Sequence, residues 1–93
     1  MKIEVQEIGS KGMAFVAEEN KVLAQMTYSI ASSELIIIDH TEVNLTLKGK
    51  GVGKQLLMVI VEKARKEKFK ILPLCPFAKS VFERDKTIND VLR

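Results

Sequence analysis

Lys48-Gly49-Lys50-Gly51-Val52-Gly53-Lys54 packs three glycines and three lysines into seven residues. Glycine lets backbone N–H groups approach a ligand closely and lysine adds positive charge, so the stretch suits the holding of an anion, phosphate above all. Cys75, the only cysteine, directly precedes Pro76. Proline is favoured at the first position of a helix, which places the thiol at a helix N-terminus where the dipole, helped by Lys79, favours the thiolate and thus a nucleophile. The plainer reading of Cys75 is a small buried hydrophobe. His40, the only histidine, belongs to the residue type that exchanges protons near neutral pH and is a candidate base for an amine. One cysteine and one histidine cannot form a four-ligand zinc site, and no metal is expected.

Spacing excludes the common nucleotide loops. A Walker loop would need glycine at position 48 and a hydroxyl at position 55, where the chain has Lys48 and Gln55. The dinucleotide fingerprint fails because the glycines fall as G-x-G-x-G.

The elements that must position these residues are legible from periodicity. Ile3 and Val5 alternate with polar neighbours, a turn follows at Gly9 to Gly12, and Met13, Phe15 and Ala17 alternate again. After a turn at Glu19-Asn20, Val22, Ala24, Met26, Tyr28 and Ile30 share one face of a third strand, closed by Ala31-Ser32-Ser33. Leu35 to Ile38 is apolar on both faces, which predicts the sheet's middle strand, covered on both sides and running on through Val43. Beyond the glycines the period becomes 3.6: Val52, Leu56, Leu57, Ile60, Val61 and Ala64 form one stripe of a helix over Val52 to Lys68. A short strand over Lys70 to Leu74 then lies parallel to the strand before the helix, by the right-handed crossover rule. A second helix starts at Pro76, and the tail from Thr87 forms a helical turn. In a flat strand, Asp39 and His40 point to opposite faces, so adjacency does not make Asp39 the partner of His40. A Cys75–His40 pair across parallel strands is the arrangement to look for.

Lys48-Gly49-Lys50-Gly51-Val52-Gly53 resembles the pyrophosphate loop of the GNAT superfamily of N-acetyltransferases, [QR]-x-x-G-x-[GA], with lysine in place of the usual glutamine or arginine. Asp39-His40-Thr41-Glu42-Val43 before the loop and Pro73-Leu74-Cys75-Pro76-Phe77 after it extend the similarity to a small branch of that superfamily and to nearly the whole chain. The resemblance implies a minimal α/β fold of the α+β type: four antiparallel strands, a crossover to a parallel fifth strand, and a short C-terminal helix. It implies acetyl-CoA as co-substrate, with Val43, Leu45, the 48–54 loop, Pro76, Phe77 and Lys79 at the cofactor and Cys75 as acetyl-accepting or catalytic residue. It also implies transfer to an unknown amine, a small molecule or a protein. Larger relatives place two acceptor-binding helices between the first two strands, where this chain has only Gly9 to Gly12, so an open acceptor site is expected. A non-catalytic CoA-binding or regulatory module is the alternative.

Length and charge bound the rest. Ninety-three residues, 46% hydrophobic and 29% charged, predict a single domain over 1–93 with one thin core and a surface cleft rather than an enclosed cavity. The longest purely apolar run is four residues, against about 20 needed to cross a bilayer, so no membrane association is expected. A charged N-terminus and a lone cysteine predict a cytoplasmic location. The net charge of +3 divides into +6 over Lys48 to Lys70 and −3 elsewhere, placing positive charge where an anion would sit. One tyrosine, four phenylalanines and no tryptophan supply few stacking platforms, and a nucleic-acid partner is not expected. The chain is expected to be a monomer or a weak homo-oligomer.

Overall fold

Hydrophobic alternation carries the first half of the chain into four antiparallel strands. In the computed structural model, which describes residues 1–93, these are β1 (Glu4–Ile8), β2 (Lys11–Glu18), β3 (Lys21–Ser32) and β4 (Leu35–Val43). A 3-10 turn at Leu45–Leu47, helix α1 (Val52–Glu67), strand β5 (Lys70–Pro73), helix α2 (Pro76–Arg84) and a second 3-10 turn at Lys86–Val91 follow. The sheet order is β1-β2-β3-β4-β5, with β5 parallel to β4 through Leu35↔Lys70 to Ile38↔Pro73. No helix is long and apolar enough to cross a membrane.

The period-two and period-3.6 stripes meet in one core. Ala14, Val16, Ala24, Met26, Tyr28, Ile36 and Ile38 from alternate sheet positions pack with Leu56, Leu57, Ile60, Val61 and Ala64 of α1 and Ala78, Val81 and Phe82 of α2. The intervening residues Met13, Phe15, Leu23, Thr27, Leu35 and Ile37 are only half-buried. The sheet is thus covered on one face. This corrects the expectation that Leu35 to Ile38 is covered on both sides and lies at the middle. β3 holds the centre, and β5 is added to the outer edge of β4. Beyond β5 only Leu92 continues the sheet, in an isolated bridge with Ile71.

Two local features shape the sheet. β4 is bulged: Tyr28 pairs with Ile38 but Thr27 pairs with His40, so Asp39 is the extra residue. The second feature is Tyr28 itself, 1% exposed, whose hydroxyl donates to Glu7 of β1 at 2.5 Å. A Cβ at Gly12 would overlap the Tyr28 ring, so glycine there admits the aromatic side chain. Burial, and then the Glu7 carboxylate, push the phenol well above its usual range and keep it a donor.

The C-terminal turn is fastened by charge. Arg65 of α1 donates to Glu62 at 2.6 Å, to both carboxylate oxygens of Asp90 at 2.9 Å, and to the Thr87 carbonyl at 3.0 Å. These bonds raise the guanidinium above its ordinary value and hold the Asp90 carboxyl below its own.

Candidate functional site

The glycine loop folds as it does because three positions demand glycine for two different reasons. Gly49 and Gly51 adopt φ of 81° and 70°, the left-handed region that side chains disfavour, and both have open space around them. Gly53 is different: a Cβ there would sit 2.7 Å from the Phe77 ring, so its lack of a side chain lets α2 approach the start of α1. Gly51 caps α1 without any side-chain hydrogen bond, and no acidic residue stands in the first turn. The first intrahelical bond runs from the Gln55 N–H to the Gly51 carbonyl at 3.1 Å, leaving the preceding N–H groups of the turn without a hydrogen-bond partner. Uncapped N–H groups together with the positive end of a helix dipole are the features that favour an anion.

A cleft of about 450 Å³ opens in front of this helix start, with Thr41 and Val43 of β4 on one wall, Leu47, Lys48, Gly49, Gly51 and Lys54 around the loop, and Phe77, Val81 and Arg84 of α2 opposite. Arg84, exposed and without an ion-pair partner, is the charged residue of the cleft that the sequence reading missed. Its signal is the helical spacing Phe77, Val81, Arg84, which puts all three on one stripe. Lys54 approaches Asp85 at 3.5 Å. Asp85 also accepts from the Thr87 N–H and hydroxyl, and these bonds, with Lys54 behind them, lower its carboxyl pKa.

Where β4 and β5 part, the N–H groups of Leu74 and Cys75 both reach the Ile38 carbonyl at 3.1 Å, closing the parallel ladder. Cys75 caps α2 and is buried, 4% exposed. Its Sγ lies 3.2 Å from the Thr41 hydroxyl. The expected partner, His40, is elsewhere: its side chain is 65% exposed and its Nε2 stands 3.9 Å from Glu42. The bulge accounts for this, because the extra residue Asp39 turns His40 onto the helix-free face and brings Thr41 to the Cys75 side. It also means that Asp39 and His40 do not alternate as in a flat strand. They remain separate, Asp39 bonded to Ser29 at 2.7 Å and His40 beside Glu42.

The other candidates divide. Val43, Lys48, Gly49, Gly51, Val52, Gly53, Lys54 and Phe77 border the cleft. Leu45 does not: β4 ends at Val43, Asn44 caps the 3-10 turn, and Leu45 is 78% exposed. Lys50 contributes its carbonyl to Gln55 at 3.3 Å rather than its side chain to the cleft. Pro76 is the exposed first residue of α2, and Lys79 lines a different hollow, beside Leu72, Leu74 and Glu83. Thr41 and Leu47 join the cleft in addition to Arg84. No group of three or more His, Cys, Asp and Glu side chains is placed to hold a metal.

The mixed sheet, with a parallel fourth and fifth strand whose pairing ends at Ile38 and Pro73 and a glycine-rich helix start after the fourth, is the α/β architecture that the resemblance implied. The sequence matches the family model described as GCN5-related N-acetyl-transferase over residues 13–91, and the chain belongs to that family of acetyl-CoA-dependent N-acetyltransferases. A GCN5-like protein from Staphylococcus aureus, solved by NMR, is 39% identical with a TM-score of 0.73, over 97% of this chain and 87% of its own. The ribosomal-protein-alanine N-acetyltransferase of Brucella melitensis biovar Abortus 2308 shares the fold at a TM-score of 0.66 and 16% identity, over 81% of this chain and 60% of that one. So does a GNAT family acetyltransferase from Elizabethkingia anophelis with acetyl-CoA bound, at 0.57 and 20%, over 69% of this chain and 42% of that one. Comparison with curated proteins gave no match.

Proposed function

We propose that the cleft between the glycine loop and α2 holds acetyl-CoA, with the pyrophosphate on the α1 N-terminus and the thioester directed toward Thr41 and Cys75, for transfer to an amine. The observation that carries this reading is the uncapped start of α1, whose N–H groups face a cleft rimmed by Lys48, Lys54 and Arg84. A diphosphate bound there replaces the missing cap. Arg84 stands at the far wall, placed to meet a phosphate beyond the pyrophosphate; the planar guanidinium suits such a group. Val43 and Phe77 provide apolar walls for the pantetheine chain.

Acetyl-CoA supplies the activated acetyl group: the amine nitrogen bonds to the carbonyl carbon, the carbon–sulfur bond breaks, and the thiolate leaves and takes up the amine's proton. What the protein contributes is orientation, exclusion of water on the core side, and a buried thiol beside the reacting carbon. The Thr41 hydroxyl fixes the direction of that thiol. His40, on the opposite face of β4, is placed to take a proton from an amine arriving from that side.

Calorimetric titration of acetyl-CoA and 3′-dephospho-acetyl-CoA tests the reading. Gly51→Val, which forces a side chain into φ of 70°, should weaken both ligands about tenfold or more. Arg84→Ala should weaken acetyl-CoA alone by about three- to tenfold. Wild-type affinity in both variants would refute the cleft. Cys75→Ala should keep the affinity and lower the transfer rate; an unchanged rate would leave Cys75 a packing residue.

A further inference from the structure

The largest unassigned feature is a groove of about 440 Å³ on the helix-free face of the sheet. It is within the usual range for small-molecule sites. It runs across the strands: Gln6 and Ile8 of β1, Lys11 and Met13 of β2, Thr27 of β3, and Asp39 of β4 border it. The register makes these a row, with Gln6 opposite Met13, Met13 opposite Thr27, and Thr27 opposite His40. Three strand spacings give a length of about 14 Å. The groove ends at Asp39, the residue after Ile38, and Ile38 is the last residue of β4 to pair with β5. It therefore leads to the point at which the two strands part, from the face opposite the cofactor cleft.

Its charges are arranged in an unusual way. Lys11 Nζ donates to Ser29 Oγ at 2.7 Å, and Ser29 Oγ donates to Asp39 Oδ2 at 2.7 Å. One hydroxyl thus stands between a cation and an anion that do not pair with each other. Both keep spare capacity, since the ammonium has two further donors and Asp39 Oδ1 has no protein partner. Met13 and the 71% exposed Ile8 give the groove an apolar floor.

We propose that this groove binds the acetyl acceptor and that the acceptor is a small zwitterionic amine. Its ammonium sits on Asp39, its acidic group on Lys11, and its hydrocarbon body on Ile8 and Met13. A purely cationic amine meets Lys11 and a purely anionic compound meets Asp39, so both are disfavoured. The acceptor role rests on the donor-site reading above, because β4 is the wall common to both sites.

The test is an NMR titration of isotope-labelled protein with leucine, leucinamide and N-acetylleucine, followed by acetyl-CoA in the same samples. Leucine should shift the amide signals of Lys11, Met13 and Asp39 and bind more tightly than either blocked compound. Lys11→Met and Asp39→Asn should each weaken leucine about fivefold. Leucinamide binding as tightly as leucine would overturn the zwitterion, and no shift from any of the three would overturn the groove. A silent groove beside a glycine loop that responds to acetyl-CoA overturns only this inference. A silent loop overturns the donor site, and with it the acceptor role of the groove.

Discussion

A single methyl group at position 53 separates two roles that glycine plays in the loop. The Cβ of Gly53→Ala would fall 2.7 Å from the tip of the Phe77 ring, and Phe77 is 37% exposed, so the ring can swing outward. Alanine gains about 1 kcal/mol of helix propensity over glycine, which offsets the lost ring contact, and denaturant unfolding should therefore change by less than about 1 kcal/mol. Acetyl-CoA affinity should nevertheless fall, because the displaced ring borders the cleft. Residue by residue, the glycine turn that opens α1 is plain in the sequence and the side chains around Cys75 are less so. Parity counted from the buried Ile36 and Ile38 puts His40 on the core face and Thr41 on the other, and the bulge at Asp39 reverses both, against the expected pairing of His40 with Cys75. Leu45, expected at the cofactor, lies past the end of β4, because Asn44 before it is a turn residue whose side chain accepts from the Thr46 N–H and hydroxyl at 2.9 Å.

Among the elements, β1 is exposed along its whole length, whereas α1, α2, β2 and β3 follow from periodicity, since each buries one stripe more deeply than the other. The β4 bulge does not. Asp39-His40-Thr41-Glu42 is polar throughout, so no hydrophobic alternation records where the phase slips. The fastening of the C-terminal turn is likewise invisible to pattern, because its charged partners lie far apart in the sequence. That makes the turn sensitive to acid. Asp85 and Asp90 both have carboxyl pKa values lowered by their hydrogen bonds and neighbouring cations. A depressed carboxyl stabilises the folded state above the unfolded value of about 3.9 and loses that contribution as pH falls below it. The methyl signals of Ile88 and Val91, buried in this turn, should broaden or shift below about pH 4 before the signals of β2 and β3 change. Simultaneous loss throughout the protein would contradict this order.

Over the whole molecule, the consequence of a chain this short is a sheet with helices on one face only. Five strands need cover, and two helices of 16 and 9 residues supply it on the side where the core forms. The uniform apolarity of Leu35 to Ile38 predicts cover on both sides, yet Leu35 and Ile37 are only half-buried. Tyr28 links the layers: its phenol bonds to Glu7 on the edge strand, and Glu7 lies 3.9 Å from Lys63 of α1. Tyr28→Phe removes a bond to a charged acceptor and should cost about 1.5–3 kcal/mol. Thermal unfolding should read this as a fall of at least about 6 °C, and an unchanged midpoint would contradict it. The same contact has an optical use. Tyr28 is the only tyrosine and there is no tryptophan, so the near-ultraviolet emission of the protein arises from one phenol. A phenol bonded to a carboxylate emits weakly, and separation of β1 from the sheet frees it to brighten, giving the fold a built-in fluorescent reporter that needs no label.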